Sequence, residues 1–484
     1  MSWWVLRRKI HISWLIALVC AGLFIGVFLA KYISSSYFSL IVCLIISICL
    51  MVIGFWRKYI YLLPILLIAG ILFGLWRGSI SQVELFKYKS LYGKIVSLEG
   101  RVKDDADTGS SGQISVRLDR LKYGGKELSG VVWVSTNGAD IKRGDRIFLH
   151  GLLNPGFGNY AGVMYRANID KIVQPQPGDI ARIVRDWFAN AIRRAIPEPE
   201  SSLGIGYLVG QKRALSPDLI LALQAVGLTH IVVASGYNLT ILVRLARRVF
   251  VKISKYLAVL SAMFMIISFV SITGVSPSMS RAGLIAGLSL MAWYYGRKFH
   301  PIALLSFAIA LTVIINPSYA WGDLGWQLSF ASFAGVIIIA PLMQSYFFGD
   351  SKPGVIRQIL GETIAAQLAT APIIITAFGQ LSNVAVISNL LILPFIPLAM
   401  LLTFFAGLGW LLLPSFSFII SKPATWLLQY MINVAEYLAT LPWVISKIDL
   451  KLWGVAIYYF LIVALCFYVS RVTKYKLHDV NLVE

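Results

Sequence analysis

Long apolar segments alternate with short polar turns over most of the chain. A helix needs about 20 apolar residues to cross the hydrocarbon core of a bilayer. Three segments of this kind come before residue 79, and nine come after residue 228. The pattern therefore predicts a mainly α, polytopic helical membrane protein. The predicted spans are residues 13–31, 37–55, 59–76, 229–246, 253–274, 278–296, 301–316, 322–344, 358–378, 384–412, 424–442 and 452–470.

The segment at 384–412 is longer than a single crossing requires. Asn389, Pro394 and Pro397 interrupt its apolar pattern, and a proline inside a helix removes a hydrogen bond and crowds the preceding turn. We therefore expect this segment to be kinked or partly re-entrant.

One polar insert, residues 80–179, separates the two apolar blocks. It contains five runs of β-forming residues with near-alternating apolar positions, and glycine-rich turns separate the runs. The runs are residues 95–103, 113–122, 130–135, 145–151 and 163–172. This pattern fits an OB-type barrel, although other small β-barrels fit it nearly as well. The insert is therefore predicted to be a small all-β, OB-like domain.

The composition narrows the class of protein. Of the 484 residues, 58% are hydrophobic and 13% are charged, whereas soluble domains carry about 25% charged residues. The net charge of +21 has two interpretations: basic loops that fix the topology, or attraction of a polyanion. The four cysteines lie in apolar segments without zinc-site or disulfide spacing, and no nucleotide-binding P-loop occurs. We expect no metal and no cofactor.

The positions of Lys and Arg predict the side of the membrane on which each turn lies. The cluster Arg7–Lys9 places the N-terminus in the cytoplasm, and three spans then place the insert outside. Continued alternation puts the C-terminus inside, in a cytoplasmic (inner) membrane protein with an extracytoplasmic β domain. The predicted regions are 1–79, three N-terminal spans; 80–179, the β-barrel; 180–228, amphipathic and interfacial helices; 229–470, the second transmembrane domain; and 471–484, a cytoplasmic tail.

An amphipathic pattern covers residues 182–195. It suits a helix that lies at the membrane surface, and a helix packed against its neighbours is an equal alternative. Its predicted apolar face comprises Val184, Trp187, Phe188, Ala191 and Ile192, and its predicted polar face comprises Arg182, Arg185, Arg193 and Arg194.

The insert carries side chains that suit single-stranded nucleic acid. OB-type barrels hold single strands by stacking bases on aromatic rings within a basic groove. The same rings could instead fill the barrel core, and 14 Lys and Arg against 11 Asp and Glu leave a net charge of only +3. The candidate DNA-binding residues are Lys122, Lys126, Trp133, Lys142, Arg143, Arg146, Tyr160 and Arg166, with Tyr123, Phe148, Phe157 and Tyr165 as further candidate stacking rings.

Polar side chains within the second apolar block form another candidate site. Such groups are costly in a bilayer unless they pair or line a wet cavity, although Ser and Gly also serve helix packing. The candidates are His230, Ser235, Gly236, Asn238, Arg281, Asp323, Gln327 and Glu362. Arg281 is predicted to pair with Asp323 or Glu362. Catalysis by Ser235 with His230 is disfavoured, because their spacing of five residues suits a direct hydrogen bond poorly and no acidic residue lies nearby in sequence.

Four motifs carry a resemblance to a known family. They are Gly227-Leu-Thr-His230 followed by Ser235-Gly-Tyr-Asn238, the runs Ser276–Ala282 and Asp323–Phe330, and Asn154-Pro-Gly156 with nearby Tyr160. Each motif alone is weak. Together and in order, across about residues 98–330, they resemble the ComEC family of competence membrane proteins.

The resemblance implies that residues 229–470 form a competence-type channel. Such a channel imports single-stranded DNA during natural transformation, and the OB-like domain guides the DNA to it. The implied partners are single-stranded DNA, membrane lipids, a separate nuclease, a DNA receptor and a cytoplasmic DNA motor, and no enzymatic activity is expected. The alternative is a secondary transporter of a smaller solute, but the internal repeats typical of that class are not evident.

The sequence departs from the family pattern in two places. Asn238 stands where the family commonly has His, which puts in doubt any role that needs a proton on that side chain. Many members also have a C-terminal metallo-β-lactamase-like domain with a His-x-His-x-Asp-His cluster for two metals. That cluster does not occur in this sequence. We therefore expect a form without this domain, served by another protein's nuclease.

Overall fold

The computed structural model describes residues 11–33, 37–57, 59–108, 113–137, 141–176, 178–211, 215–232, 235–274, 276–297, 300–349, 351 and 353–475. The cluster Arg7–Lys9 and the end of the predicted tail, residues 476–484, lie outside the described residues. Contacts divide the chain into two compact units. The first unit is residues 1–178 with 299–327, and the second is residues 179–298 with 328–484.

Helices make up most of the described chain, and one β domain interrupts them, which confirms the predicted fold class. The helices are α1 Ile12–Ala30, α2 Tyr37–Arg57, α3 Leu63–Phe86, α4 Ile180–Ala195, α5 Glu200–Val209, α6 Pro217–Ala225, α7 Thr229–Val232, α8 Gly236–Phe250, α9 Lys255–Thr273, α10 Pro277–Tyr294, α11 Pro301–Ile315, α12 Leu324–Ala334, α13 Ala340–Phe348, α14 Val355–Phe378, α15 Ala385–Ile392, α16 Ile396–Leu412, α17 Ser417–Ala439 and α18 Leu452–Thr473.

Eight segments of the described chain are long and apolar enough to cross a membrane, which confirms a multi-pass membrane protein. They are Ile12–Ala30, Leu40–Arg57, Ile60–Ser90, Lys255–Thr273, Leu324–Phe348, Val355–Phe378, Ala385–Leu412 and Leu452–Thr473. The other four predicted spans correspond to helices that are shorter or more polar. Among these, α11 is apolar but has only 15 residues.

The prediction of one continuous helix over 229–246 is wrong. The chain forms α7 and then starts α8 at Gly236. Ser235, in extended conformation, precedes α8, and its Oγ accepts the backbone N–H of Asn238 at 3.4 Å. A serine in this position satisfies an N–H group that the first helical turn leaves without a partner. By contrast, the interruption predicted within 384–412 is confirmed, because α15 ends at Ile392 and α16 begins at Ile396.

Glycines set the contact between α1 and α3 in the first unit. A Cβ atom added to Gly26 would lie 2.1 Å from the Ile71 carbonyl oxygen, and one added to Gly74 would lie 2.2 Å from the Leu23 carbonyl oxygen. Larger side chains would therefore separate the two helices. Small residues four apart are the usual means of close helix packing in membranes.

The described residues of the insert form eight strands rather than five. They are β1 Ile95–Val102, β2 Asp107–Thr108, β3 Ile114–Tyr123, β4 Lys126–Leu128, β5 Val132–Thr136, β6 Arg146–Pro155, β7 Gly162–Met164 and β8 Asn168–Val173. The run predicted at 163–172 contributes both β7 and β8. Arg166 lies between these strands with φ of 51°, a left-handed conformation that ends β7.

Five of these strands close into a ring, which confirms a small β-barrel. The order is β1-β3-β5-β7-β6, and β6 pairs with β1 to complete the circle. The β5–β7 pair is parallel and the others are antiparallel. Along β1 every second side chain is buried, and Leu118, Ile147 and Leu149 on the neighbouring strands are fully buried. Burial of each such side chain contributes about 1.5–3 kcal/mol.

Helix α4 in the second unit is amphipathic but has two apolar sides. Ala189 and Ile192 are fully buried, whereas Ile183 and Trp187 are more than half exposed. The predicted polar face is wrong at Arg185, which is buried with its Nε 3.0 Å from Asp186 Oδ1. The helix thus combines internal packing with an exposed apolar surface, and its placement at the membrane interface stays a prediction.

Two short strands, β9 Gln380–Ser382 and β10 Ile445–Lys447, pair antiparallel within the second unit.

Candidate functional site

A loop of the barrel meets the segment that leads into α12, and both belong to the first unit. Asn159 Nδ2 donates a hydrogen bond to Asp323 Oδ2. The other carboxylate oxygen, Oδ1, accepts the backbone N–H of Trp326 at 2.7 Å and so caps the start of α12. One aspartate therefore holds the barrel loop and begins a helix.

Two glycines bring the backbones together beside this hydrogen bond. A Cβ atom on Gly158 would lie 3.1 Å from the Gly322 carbonyl oxygen, and one on Gly322 would lie 3.1 Å from the Gly158 Cα. Both residues have positive φ, 61° and 150° respectively, a region that glycine enters without a steric penalty. We call Gly158, Asn159, Gly322 and Asp323 the clasp.

Arg117 supports the same loop from inside the barrel sheet. Its Nε donates to Tyr160 Oη at 3.0 Å, and its Nη2 lies 3.1 Å from Asp107 Oδ2. Asp104 Oδ2 lies 3.5 Å from Nη1. Burial lowers the pKa of Arg117, but the interactions with Tyr160, Asp107 and Asp104 outweigh burial and raise the pKa above its ordinary value. The guanidinium is therefore a fixed cation that ties Tyr160 to two strands.

Four aromatic rings form a connected surface next to the clasp. The ring centroids of Trp133 and Tyr165 are 5.7 Å apart, those of Trp133 and Phe157 are 6.3 Å apart, and those of Phe157 and Tyr160 are 5.2 Å apart. Phe157 is 54% exposed and Tyr165 is 57% exposed, so the rings do more than fill the core. We call these four residues the aromatic surface.

The structure does not gather the basic candidates of the barrel into one groove. Arg143 is buried, and Arg146 Nη1 lies 3.9 Å from Glu99 Oε1. The backbone N–H of Lys142 donates to Asp145 Oδ2 at 3.0 Å. Arg166 is exposed and directly follows Tyr165 in the chain. Arg166 is therefore next in sequence to a ring of the aromatic surface.

Lys122 and Lys126 lie at the β3–β4 hairpin. Lys122 borders a surface groove of about 200 Å³, whose lining also includes Glu99, Phe148 and Asp170. Two carboxylates beside one lysine make this groove a poor match for a phosphate backbone.

In the second unit, Ser235 and Asn238 form a connected hydrogen-bonded pair. Ser235 Oγ donates to Asn238 Oδ1 at 3.2 Å, and Asn238 Nδ2 donates to the Tyr207 carbonyl oxygen at 2.9 Å. Asn238 is fully buried. This amide therefore ties the start of α8 to α5. The nearby His230 side chain is exposed, and its Nδ1 lies 3.0 Å from the Gly227 carbonyl oxygen.

Arg281 has different partners from those predicted. Its Nε donates to Ser329 Oγ at 2.6 Å, and its guanidinium carbon lies 5.2 Å from the centre of the Phe333 ring. Glu362 accepts instead from Gln358 Nε2 at 2.8 Å. In the described part of the second unit Arg281 makes no ion pair, so the predicted pairing with Glu362 is wrong. The other predicted partner, Asp323, is engaged in the clasp.

Gln327 lies one turn into α12, where its backbone N–H donates to the Asp323 carbonyl oxygen at 3.0 Å. The described residues contain no group of three or more His, Cys, Asp or Glu side chains arranged to hold a metal ion.

Many apolar helices with a small β-barrel inserted between them define a class of polytopic membrane protein. Residues 207–472, more than half of the chain, match the sequence profile of the family described as Competence protein. The chain belongs to this family. It is also similar to ComE operon protein 3 of Bacillus subtilis (strain 168), with 26% identity over 251 residues. That alignment covers 49% of this chain and 31% of the relative, so the match spans about a third of the relative's length. No solved structure matches the chain.

Proposed function

We propose that this protein is a membrane channel that imports single-stranded DNA during natural transformation. The observation that carries the proposal is the match of residues 207–472 to the Competence protein family. In this proposal the barrel is an OB-type domain that guides DNA, and the chain conducts DNA without enzymatic chemistry. A separate nuclease, a DNA receptor and a cytoplasmic DNA motor are the proposed partners.

The aromatic surface supports the role of the barrel. Base stacking on aromatic rings tolerates any sequence, because every base has a π-face, and a channel for uptake requires this tolerance. Phe157 and Tyr165 present rings that are more than half exposed, and Arg166 adds a cation beside them. The barrel can therefore hold a strand without a strongly basic groove, which agrees with the insert's net charge of only +3.

The clasp supports a barrel that guides DNA from a held position, rather than a barrel joined to the helices only by its flanking chain. It joins the loop that carries Phe157 and Tyr160 to the start of α12 through the Asn159–Asp323 hydrogen bond and the Gly158–Gly322 contact. Because the backbone on both sides is held, the aromatic surface keeps a fixed position relative to the segment of the first unit that begins α12.

The test is deletion of the gene in a naturally competent host. We expect transformation and entry of labelled DNA into the cytoplasm to be lost, while DNA still adsorbs to the cell surface. Complementation with the wild-type gene should restore both. Unchanged entry of labelled DNA in the deletion strain would refute the proposal, and loss of adsorption alone would assign the protein to an earlier step.

We also propose that both termini are cytoplasmic and that the barrel is extracytoplasmic. Lys126 is exposed at the β3–β4 turn, and Arg297 is exposed after α10 at a turn predicted to be cytoplasmic. In a background without the native cysteines, Lys126→Cys should react with a membrane-impermeant maleimide in intact cells, whereas Arg297→Cys should react only after permeabilisation. The reverse pattern would invert the proposed orientation.

A further inference from the structure

Arg281 has more hydrogen-bonding capacity than its protein surroundings use. A guanidinium carries five N–H donors, and the Nε donor of Arg281 goes to Ser329 Oγ at 2.6 Å. Its Nη groups have no acceptor in the described part of the chain. Ser329 Oγ in turn donates to Ser278 Oγ at 3.3 Å, so the hydroxyls position the guanidinium without neutralising it.

The surroundings of this cation are largely apolar. The guanidinium carbon lies 5.2 Å from the Phe333 ring centre and 6.0 Å from the Phe330 ring centre. The interaction with aromatic faces compensates only part of the cost of removing a cation from water. Ionisable residues among apolar helices usually pair, and they mark pathways for ions or substrates. An arginine without a carboxylate partner therefore indicates an anion that is supplied from elsewhere.

Glycine keeps the Nη side of Arg281 open. A Cβ atom added to Gly236 would lie 3.2 Å from Arg281 Nη2 and 3.0 Å from Ala282 Cβ. Any larger residue at position 236 would therefore press on the guanidinium. Arg281 is itself only partly buried, and its Nη atoms are not fully enclosed by the described residues.

We propose that Arg281 binds a backbone phosphodiester of the imported strand, with Ser329 and Gly236 as positioning residues. This inference rests on the proposed function, because the channel supplies the anion. The planar guanidinium offers parallel N–H groups that match two oxygens of a phosphate. A phospholipid headgroup carries the same phosphodiester chemistry, and the experiment distinguishes these two sources.

The experiment measures binding of fluorescent oligothymidylate to the full-length protein in phosphatidylcholine nanodiscs at several salt concentrations. Each phosphate contact on a single strand contributes about 0.7 to the slope of log affinity against log salt. We expect Arg281→Gln to reduce this slope by about 0.7 and to weaken binding about tenfold or more, because a charged hydrogen bond is lost. Arg471→Gln is the matched control, since Arg471 also lies over a ring, that of Phe467, at 4.9 Å. It should leave the slope unchanged.

A second variant keeps Arg281 and fills the space beside its guanidinium with a methyl group. Gly236→Ala should weaken oligothymidylate binding severalfold. Gly287→Ala is the matched control on α10, because a Cβ atom there meets nothing within 4 Å, and it should bind as the wild type does. If Arg281→Gln fails to fold, this glycine pair decides the question: equal affinity of the two alanine variants would overturn the proposal.

Two further arms identify the source of the phosphate. An oligothymidylate with an uncharged methylphosphonate backbone should bind the wild type and Arg281→Gln equally. If Arg281→Gln instead retains less phosphatidylglycerol from mixed nanodiscs, with an unchanged DNA salt slope, the site holds a headgroup and the proposal is overturned. Normal binding by Arg281→Gln with an intact slope refutes this inference alone. Failure of the proposed function would appear separately, as unchanged DNA entry in the deletion strain.

Discussion

The barrel and the second unit use their charged side chains in opposite ways. In the barrel, Arg101 Nη2 lies 2.8 Å from Asp119 Oδ2, and Arg117 Nη2 lies 3.1 Å from Asp107 Oδ2. In the second unit, Arg281 meets a serine hydroxyl and two phenylalanine rings. Charges of the barrel thus pair across strands, whereas Arg281 makes no ion pair with the described residues of the second unit.

Under the proposed function, this difference assigns different parts of a nucleic acid to the two regions. The exposed rings of the barrel suit base faces, and stacking depends little on salt. The guanidinium of the second unit suits phosphates, and phosphate contacts release counterions, so binding weakens as salt rises. Affinity and salt dependence can therefore be measured as separate contributions.

The largest effect is expected from the aromatic surface. The double variant Phe157→Ala with Tyr165→Ala removes its two most exposed rings. Stacking contributes about 1–3 kcal/mol per base, so affinity for oligothymidylate should fall about fivefold or more for each ring. The salt slope should stay that of the wild type, because no phosphate contact is lost. Fluorescence anisotropy across a salt series measures both quantities.

The control for this prediction is Tyr123→Ala. Tyr123 is 39% exposed at the end of β3 and lies outside the aromatic surface. Its removal should change affinity little. An equal loss in Tyr123→Ala, or a shallower slope in the double variant, would remove the distinction between stacking and phosphate contact.

The sequence predicts local features of the fold, such as strands, better than it predicts contacts between residues that are far apart in the chain. Alternating apolar positions place most of the barrel strands, because the inward and outward faces follow a local period of two. The run at 163–172 is predicted as one strand but forms two, because the left-handed conformation of Arg166 has no signature in an alternating pattern. Local patterns thus predicted the elements but not every boundary.

Contacts between distant residues were not predictable in the same way. Asn159 and Asp323 are 164 positions apart, and neither residue type specifies the other. The motif at 154–156, with nearby Tyr160, and the run Asp323–Phe330 both carry the family resemblance, but no local rule joins them. The sequence predicts a carboxylate partner for Arg281, because opposite charges usually pair. The observed partner, Ser329, carries no charge, so charge pairing does not predict it.

A smaller effect is expected when the clasp is altered. Asn159→Asp would place two carboxylates together in a partly buried contact, and we expect it to destabilise the first unit by about 1–3 kcal/mol. Adding Asp323→Asn should restore most of that loss, because the donor and the acceptor then exchange sides. Thermal unfolding of the single and double variants measures the coupling between the residues.

The exposed Asn137 provides the control for the clasp. Asn137→Asp adds the same charge away from the clasp and should be nearly neutral. If the two clasp substitutions prove additive, the Asn159–Asp323 contact does not hold the barrel loop, and the fixed position of the aromatic surface loses its support.

The smallest effect on oligothymidylate affinity is expected at Arg146. This residue tests most directly the contrast between the paired charges of the barrel and Arg281. Arg146 is 58% exposed and lies 3.9 Å from Glu99, and exposed pairs of this kind contribute about 0–1 kcal/mol. Because a carboxylate already faces the guanidinium, Arg146→Gln should change oligothymidylate affinity less than about twofold and should leave the salt slope intact. Arg166→Gln is the contrasting variant, since Arg166 is exposed beside Tyr165, and a severalfold loss is expected there. If Arg146→Gln lowered the slope as much as Arg281→Gln, paired charges of the barrel would be binding phosphate, and the division of roles between barrel and second unit would be wrong.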